Sequence, residues 1–182
     1  MVEYFGNCSG IIDWKEVVDS LKDQEPAYIG PRHKSTDDIE GIDEVAGLWE
    51  KLEYKTIHEG GVAGWDMFLP GINFDKAIVE KFIEWTGVKN NSPTYAWISR
   101  INPGKMAPWH WDVTDDEATL AKESVRFHCH IIPQAPGHSF FVEDFCFYNQ
   151  KIGDVFKWDN RKLWHAGSNC GITPKYIFNF WI

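Results

Sequence analysis

Three residues in the C-terminal half have the types and spacing that suit a metal. His110 and Asp112 stand two apart in PGKMAPWHWD, so an extended chain presents both on one face, and His165 lies within GDVFKWDNRKLWHAGSNCGITPK. Two imidazoles and one carboxylate form the ligand set that leaves open positions on an iron for a bidentate organic acid and oxygen. Ten residues after His165 comes Lys175, a cation of the kind an anionic co-ligand requires. His-x-Asp between tryptophans also fits an exposed loop, and His165 also fits a hydrogen-bonded core residue. The joint presence of His165 and Lys175 favours the metal.

The elements around these residues must then place them. Gly153-Asp154 reads as a tight turn into a strand with Val155, Phe156 and Trp158, and Asp159-Asn160 as the next turn. The following strand carries Leu163, Trp164 and His165. Lys175 opens KYIFNFWI, whose pleat sends Lys175, Ile177, Asn179 and Trp181 to one face and Tyr176, Phe178 and Phe180 to the other. Lys175 approaches His165 if these two strands are sheet neighbours.

Upstream, TYAWISRI alternates Tyr95, Trp97, Ser99 and Ile101 against Ala96, Ile98 and Arg100, and Asn102-Pro103-Gly104 turns the chain toward His110. In SVRFHCHII, Arg126, His128 and His130 share one face. Three such side chains repel one another unless they meet water or an anion, so this face is either exposed or lines a pocket for carboxylates. Further strands at HSFFVED, FCFYN and GDVFKW, joined by short turns, predict a double-sheet jelly roll.

The first half reads as mainly helical. Asp13 and Glu16 make an Asp-x-x-Glu start, and Trp14, Val17, Val18 and Leu21 recur at helical spacing. A second helix is expected from near Thr36 or Asp37, carrying Ile39, Ile42, Val45, Ala46, Trp49 and Leu52, although Gly41 and Gly47 weaken it. HEGGVAGWDMFLPG, at 58–71, reads as a glycine-rich loop, either a lid over a site or a linker. A third helix follows Asn73, with Phe74, Ala77, Ile78, Phe82 and Trp85 inward and Gly87 as its stop. The expected fold class is α+β, mainly β with N-terminal helices. It is one domain over 1–182, with 1–90 a mostly helical buttress and loop and 91–182 the jelly-roll core.

Composition narrows the partners. The net charge is −9, with 18 basic and 27 acidic residues and no run of Lys or Arg, which disfavours nucleic acid and anionic membranes. A basic segment followed by an apolar run is missing from MVEYFGNCSG, and longer apolar stretches are broken by charge or proline, so a cytoplasmic protein is expected. Cys8, Cys129, Cys146 and Cys170 show no C-x-x-C spacing and read as free thiols.

In order along the chain, His110-x-Asp112, Arg126-x-His128, Gly153-Asp154-Val155, His165 and Lys175 resemble the iron(II)- and 2-oxoglutarate-dependent oxygenases, and within them the aspartyl/asparaginyl beta-hydroxylase-like branch. The match covers about residues 94 to 182. It implies a double-stranded beta-helix buttressed by N-terminal helices, with Fe(II) held by His110, Asp112 and His165. Lys175, His128 and Ser99 then bind 2-oxoglutarate, while Arg126 reaches oxoacid or substrate carboxylate. The implied reaction is oxidative decarboxylation of 2-oxoglutarate coupled to hydroxylation of a C–H bond, with molecular oxygen and a small-molecule or peptide substrate as partners.

Trp109, Trp111 and Trp164 are candidate pocket walls, Trp111 on the substrate side. Most relatives have Arg where this chain has Lys175, and a lysine offers a point charge without the bidentate fork. The acidic stretch TDDEATLAKE is a candidate substrate loop. Two other readings stand beside the oxygenase: a metal-binding cupin without an oxoacid, using His128-x-His130, Gln134 and His165, and a non-catalytic jelly-roll binding module.

Overall fold

The computed structural model describes residues 1–30, 42–88, 95–112, 125–158 and 163–182. Its strands form two antiparallel sheets. The larger takes β1 (Glu3–Asn7), β9 (Asp154–Trp158), β6 (Arg126–His130), β11 (Lys175–Trp181), β4 (Tyr95–Ile101), β3 (Trp65–Phe68) and β2 (Tyr28–Gly30), in that order. The smaller takes β5 (Lys105–His110), β10 (His165–Asn169), β7 (His138–Val142) and β8 (Phe145–Cys146). The fold is a double-stranded beta-helix, mostly β with few helices.

The two-residue pleat of β6 and β11 sorts polar from apolar side chains. On the outer face Phe127, Cys129, Phe178 and Phe180 are buried under α1 (Trp14–Leu21) and α3 (Ala77–Thr86). Phe82 of α3 is fully buried there, with ring centroids 5.0 Å from Phe178, 5.4 Å from Phe180 and 5.9 Å from Phe127. On the inner face Arg126, His128 and His130 look toward the smaller sheet and are buried too, which excludes the exposed-face alternative for this strand.

Helix boundaries follow local signals. Asp13 caps α1 by accepting from the Glu16 N–H at 3.1 Å, and Gly87 ends α3 in the left-handed region at φ 65°. Only a residue without a Cβ adopts that conformation without strain. α2 (Ile42–Lys51) lies on the stretch expected to be helical, while 31–41 fall outside the described residues. The Trp49 indole of α2 donates to the Trp109 carbonyl at 2.7 Å, tying this helix to β5.

Three expectations need correcting. Among the described residues of the first ninety, β1, β2 and β3 join the larger sheet beside α1, α2 and α3, which a reading as helix and loop leaves out. The 58–71 segment is neither lid nor plain linker, since Trp65–Phe68 forms β3 against β4. In its WDMF the polar Asp66 shares the buried face with Phe68 while Trp65 and Met67 take the other, and Asp66 is held by Arg100 at 2.7 Å and Asn102 at 2.9 Å; such partners are invisible in a short window. Leu163 and Trp164 precede β10, which begins at His165. The expected turn at Asp159-Asn160 and the acidic stretch at 114–123 lie outside the described residues.

Phe82→Ala should lower the unfolding free energy by about 3 to 5 kcal/mol, as expected for emptying a fully buried aromatic site. Urea denaturation checks this, and a loss under about 1 kcal/mol would show that α3 is not seated on the sheet as described.

Candidate metal centre and anion pocket

His110 ends β5 and His165 opens β10, and the two are register partners across that pair, with ring centroids 4.3 Å apart. Asp112 lies two residues beyond His110. One ligand atom from each of His110, Asp112 and His165 falls within 4.8 Å of the others, the one such histidine, cysteine or carboxylate cluster among the described residues. β5 is an edge strand, where Pro108 costs no ladder hydrogen bond. Its carbonyl accepts from His110 Nδ1 at 2.6 Å, and the Leu163 carbonyl accepts from His165 Nδ1 at 2.9 Å.

A carbonyl can only accept, so both imidazoles present an Nδ1 proton to it and turn Nε2 toward the cluster. This anchoring of ring and tautomer is what metal-ligating histidines display. Burial and the neighbouring His165 push His110 down to about 3, so it is neutral near pH 7. Burial is the largest single influence on Asp112 and opposes its ionisation, but the Arg126 guanidinium, together with His165 and His110, outweighs it and holds the carboxyl well below the usual range. Two imidazoles anchored at Nδ1 and one carboxylate are the donors that an Fe(II) site needs, and they fit it.

Arg126 reaches into this cluster. Its Nη1 donates to Asp112 Oδ2 and lies 2.9 Å from His165 Nε2, and its Nη2 donates to Asn179 Oδ1 at 3.0 Å. The register places Trp158 and Trp181 on either side of it, and its guanidinium carbon lies 5.3 Å and 5.7 Å from their rings and 5.6 Å from that of Trp97. The next row holds His128 and Asn179, the one after His130, Ile177 and Ser99, and the last Lys175 and Ile101. The polar side chains thus form a column running inward from the triad.

Lys175 is buried at 2% exposure, with Nζ donating to the Ser139 carbonyl and lying 5.2 Å from the Phe140 ring centre. Burial pushes its pKa down to about 7. Gly167 of β10 makes room for it, since a Cβ there would sit 3.1 Å from Phe140 Cδ2 and 3.4 Å from Nζ. Lys175 and His165 belong to different sheets, so the expected neighbouring strands are corrected: the two residues face one another's sheet across the interior. Ser99 Oγ accepts from Trp97 Nε1 at 3.0 Å and Asn179 Nδ2 at 3.1 Å, leaving its own proton to donate.

Among the described residues, Arg126 Nε, both His128 ring nitrogens, His130 Nε2 and the indole nitrogens of Trp158 and Trp181 are buried without a partner. Three of these are obligate donors, so the interior lacks acceptors rather than donors. His128 is stacked on Phe140 at 4.0 Å, and burial followed by the nearby His130 holds its pKa well below the ordinary value.

No family model matches the chain, and no curated protein matches it. Among solved structures, a Pseudomonas putida prolyl-4-hydroxylase aligns at 12% identity and TM-score 0.45, covering 93% of this chain and 98% of that one. A 2OG-Fe(II) oxygenase family oxidoreductase from Burkholderia pseudomallei aligns at 11% identity and TM-score 0.42, covering 92% of this chain and 88% of that one. A predicted oxalate decarboxylase from Thermotoga maritima aligns at 14% identity and TM-score 0.41, covering 65% and 80%. At these values the likenesses decide nothing about activity, which is argued from the site itself.

The structure gathers His110, Trp111, Asp112, Arg126, His128, His165 and Ser99 around one cavity of about 230 Å³. Lys175 lies behind its Phe140, Ile177 and Gly167 walls. Trp109 and Trp164, by contrast, line a separate outer groove with Leu48, Leu52 and Glu143, so they are not walls of this cavity. Sequence reasoning missed Asn179 as a site residue, although its place on the Lys175 face was legible, and it missed the Trp158 ring packed against the Arg126 guanidinium. The cupin ligand set is not assembled: Gln134 Nε2 instead donates to the His138 and Phe147 carbonyls, at 3.0 Å each.

His130 supplies a pH test outside the triad. Burial, with Lys175 nearby, pushes it from 6.5 down to about 3. The unfolded chain therefore binds the extra proton between those values, and stability is lost as pH falls through that window. His130→Leu should remove roughly 1 to 2 kcal/mol of the stability difference between pH 7 and pH 5. Denaturation at both pH values measures it, and an unchanged difference would mean that His130 is solvated.

Proposed function

We propose that the protein is an Fe(II)- and 2-oxoglutarate-dependent dioxygenase that hydroxylates a C–H bond of a small carboxylate-bearing substrate, such as an amino acid or an Asp/Asn-type residue in a peptide. The observation that carries the reading is the triad of His110, Asp112 and His165, whose two Nε2 lone pairs and carboxylate meet at the head of a donor-rich interior. The aspartyl/asparaginyl beta-hydroxylase-like branch remains the resemblance that fits the motif order. When bound, iron supplies oxygen activation and C–H hydroxylation.

The chain's own residues do the rest. The Pro108 and Leu163 carbonyls fix the imidazoles, and Asp112 contributes negative charge. Lys175 in its cationic form holds the far carboxylate of the oxoacid, with the Ser99 hydroxyl and His128 along its length. An anion relieves the desolvation that depresses Lys175, because a charge-assisted hydrogen bond restores what water would have given. Arg126 takes the substrate carboxylate. A cavity of about 230 Å³ lies under the roughly 300 to 1,000 Å³ of pockets that enclose drug-sized ligands, which suits a small acid plus one reacting group. Trp97, Trp158 and Trp181 exclude water around the cation. Among the described residues no helix is long and apolar enough to cross a membrane, and we place the enzyme in the cytoplasm.

Anaerobic Fe(II) followed by 2-oxoglutarate should produce a visible charge-transfer band in the wild type. His110→Ala, Asp112→Ala and His165→Ala should each lose bound iron and the band while far-UV circular dichroism stays native. Retained iron in all three variants would sink the proposal.

Lys175→Met should weaken 2-oxoglutarate roughly ten- to a hundredfold, as loss of a charge-assisted bond implies, with far less effect on iron. The pH dependence has a definite sign. Free Lys175 is charged below about pH 7 and neutral above it, so anion binding above pH 7 takes up a proton and weakens as pH rises. Calorimetry in buffers of different ionisation enthalpy reads that proton, and its absence in the wild type would remove Lys175 from the oxoacid site.

A further inference from the structure

We infer that the Arg126 guanidinium holds the metal-free triad together and must release Asp112 and His165 when a metal enters, so that metal loading frees Arg126 to capture a carboxylate. The inference rests on the proposed metal role of the triad. Nη1 of Arg126 touches two of the atoms a metal would use, Asp112 Oδ2 and, at 2.9 Å, His165 Nε2. With its proton on Nδ1, His165 has one in-plane lone pair at Nε2. One lone pair serves either an Arg126 N–H or a metal, so the two occupants exclude one another by valence.

The metal-free cluster needs a cation there. His165 Nε2 and Asp112 Oδ1 are 3.4 Å apart, and both present electron density to the same small space. Asp112 is 9% exposed and Arg126 7%, so neither charge has water to fall back on. A divalent ion supplies the positive charge in place of the guanidinium.

What holds Arg126 apart from these contacts does not involve the triad. Nη2 stays on Asn179 Oδ1, and the indoles of Trp97, Trp158 and Trp181 stay around the guanidinium. Arg126 therefore remains in the pocket with Nη1 released and Nε already lacking an acceptor. The released Nη1, with two N–H groups on a planar cation, is a charge-assisted donor for a carboxylate, while Nε faces the other edge of the guanidinium. Anion capture at Arg126 thus follows metal loading, and the occupancy of Arg126 on the triad lowers the apparent metal affinity of the empty protein.

The test reads Arg126 directly in the wild type. The chain has four arginines, Arg32, Arg100, Arg126 and Arg161, so the side-chain spectrum of ¹⁵N-arginine-labelled protein is assigned by replacing the other three in turn with lysine. In chelator-stripped protein Arg126 should give resolved, slowly exchanging Nη signals. Equimolar Zn(II) should shift or average them, and succinate added afterwards should restore slow exchange, while succinate alone leaves them unchanged. Arg126→Met, with folding checked by circular dichroism, should bind Co(II) on the order of tenfold more tightly by d–d absorbance.

Zn(II) that binds in a His165-dependent way yet leaves the Arg126 signals unmoved overturns the inference and spares the metal reading. Succinate that shifts Arg126 equally without metal overturns it too. Co(II) binding no tighter in folded Arg126→Met does the same. If the wild type takes up neither Zn(II) nor Co(II), this inference and the metal reading fail together.

Discussion

The pleat of two adjacent central strands constrains everything else. β6 and β11 are paired in register, so their inward residues line up as Arg126 with Trp181, His128 with Asn179 and His130 with Ile177. A slip of one residue would turn the polar column toward the helices and send Phe127, Phe178 and Phe180 into the cavity. The helical layer forbids that slip. Phe82, Trp14 and Trp85 pack on the aromatic and aliphatic outer face, with the Trp14 indole donating to Cys8 Sγ at 3.3 Å, so burial there fixes which side chains point inward. The site is polar because the opposite face of the same strands is apolar enough to be pinned.

An interior built this way must balance its own charge. At the mouth Asp112 and Arg126 pair, and the indole faces around the guanidinium replace the water it has lost. Beside them His110, and deeper in His128 and His130, stay neutral because burial disfavours their cations. The order is physical rather than incidental: the one group that cannot be deprotonated, Arg126, sits beside Asp112, and His128 and His130, which can shed a proton, have no carboxylate partner among the described residues.

Much of this arrangement is legible in the sequence, for reasons that differ by residue. Alternation in KYIFNFWI and SVRFHCHII assigns faces correctly because each strand is buried on both sides by layers of opposite character. His110-x-Asp112 is legible because two-residue spacing survives any extended conformation. The helix capped by Asp13 is legible because its signal is local. What fails is long-range. β1 and β2 lack strong alternation and exist because β9 and β3 offer ladder partners more than thirty residues away in sequence. Likewise β3 is hidden in a glycine-rich stretch, and its Asp66 reads as solvent-facing until Arg100 and Asn102 are seen around it. Which sheet Lys175 and His165 belong to is also unreadable, since it depends on the crossover between β10 and β11.

The lysine at position 175 makes physical sense of the departure from the arginine expected there. An arginine at this depth stays charged whether or not an anion is present, and with only the Ser139 carbonyl and the Phe140 face to meet it, the empty site would carry an unpaired buried cation. Under the proposed function, Lys175, lowered to about 7 by burial, can give up its proton near neutral pH while no anion is bound, and a carboxylate would favour its cationic form. The cost of an empty pocket is thereby limited to deprotonating one amine. The fork geometry is given up, and under the proposed function a single ammonium would align the anion with Ser99 and His128 as guides. A pocket with indoles closing its other end tolerates that exchange, because the walls restrict where the small acid can lie.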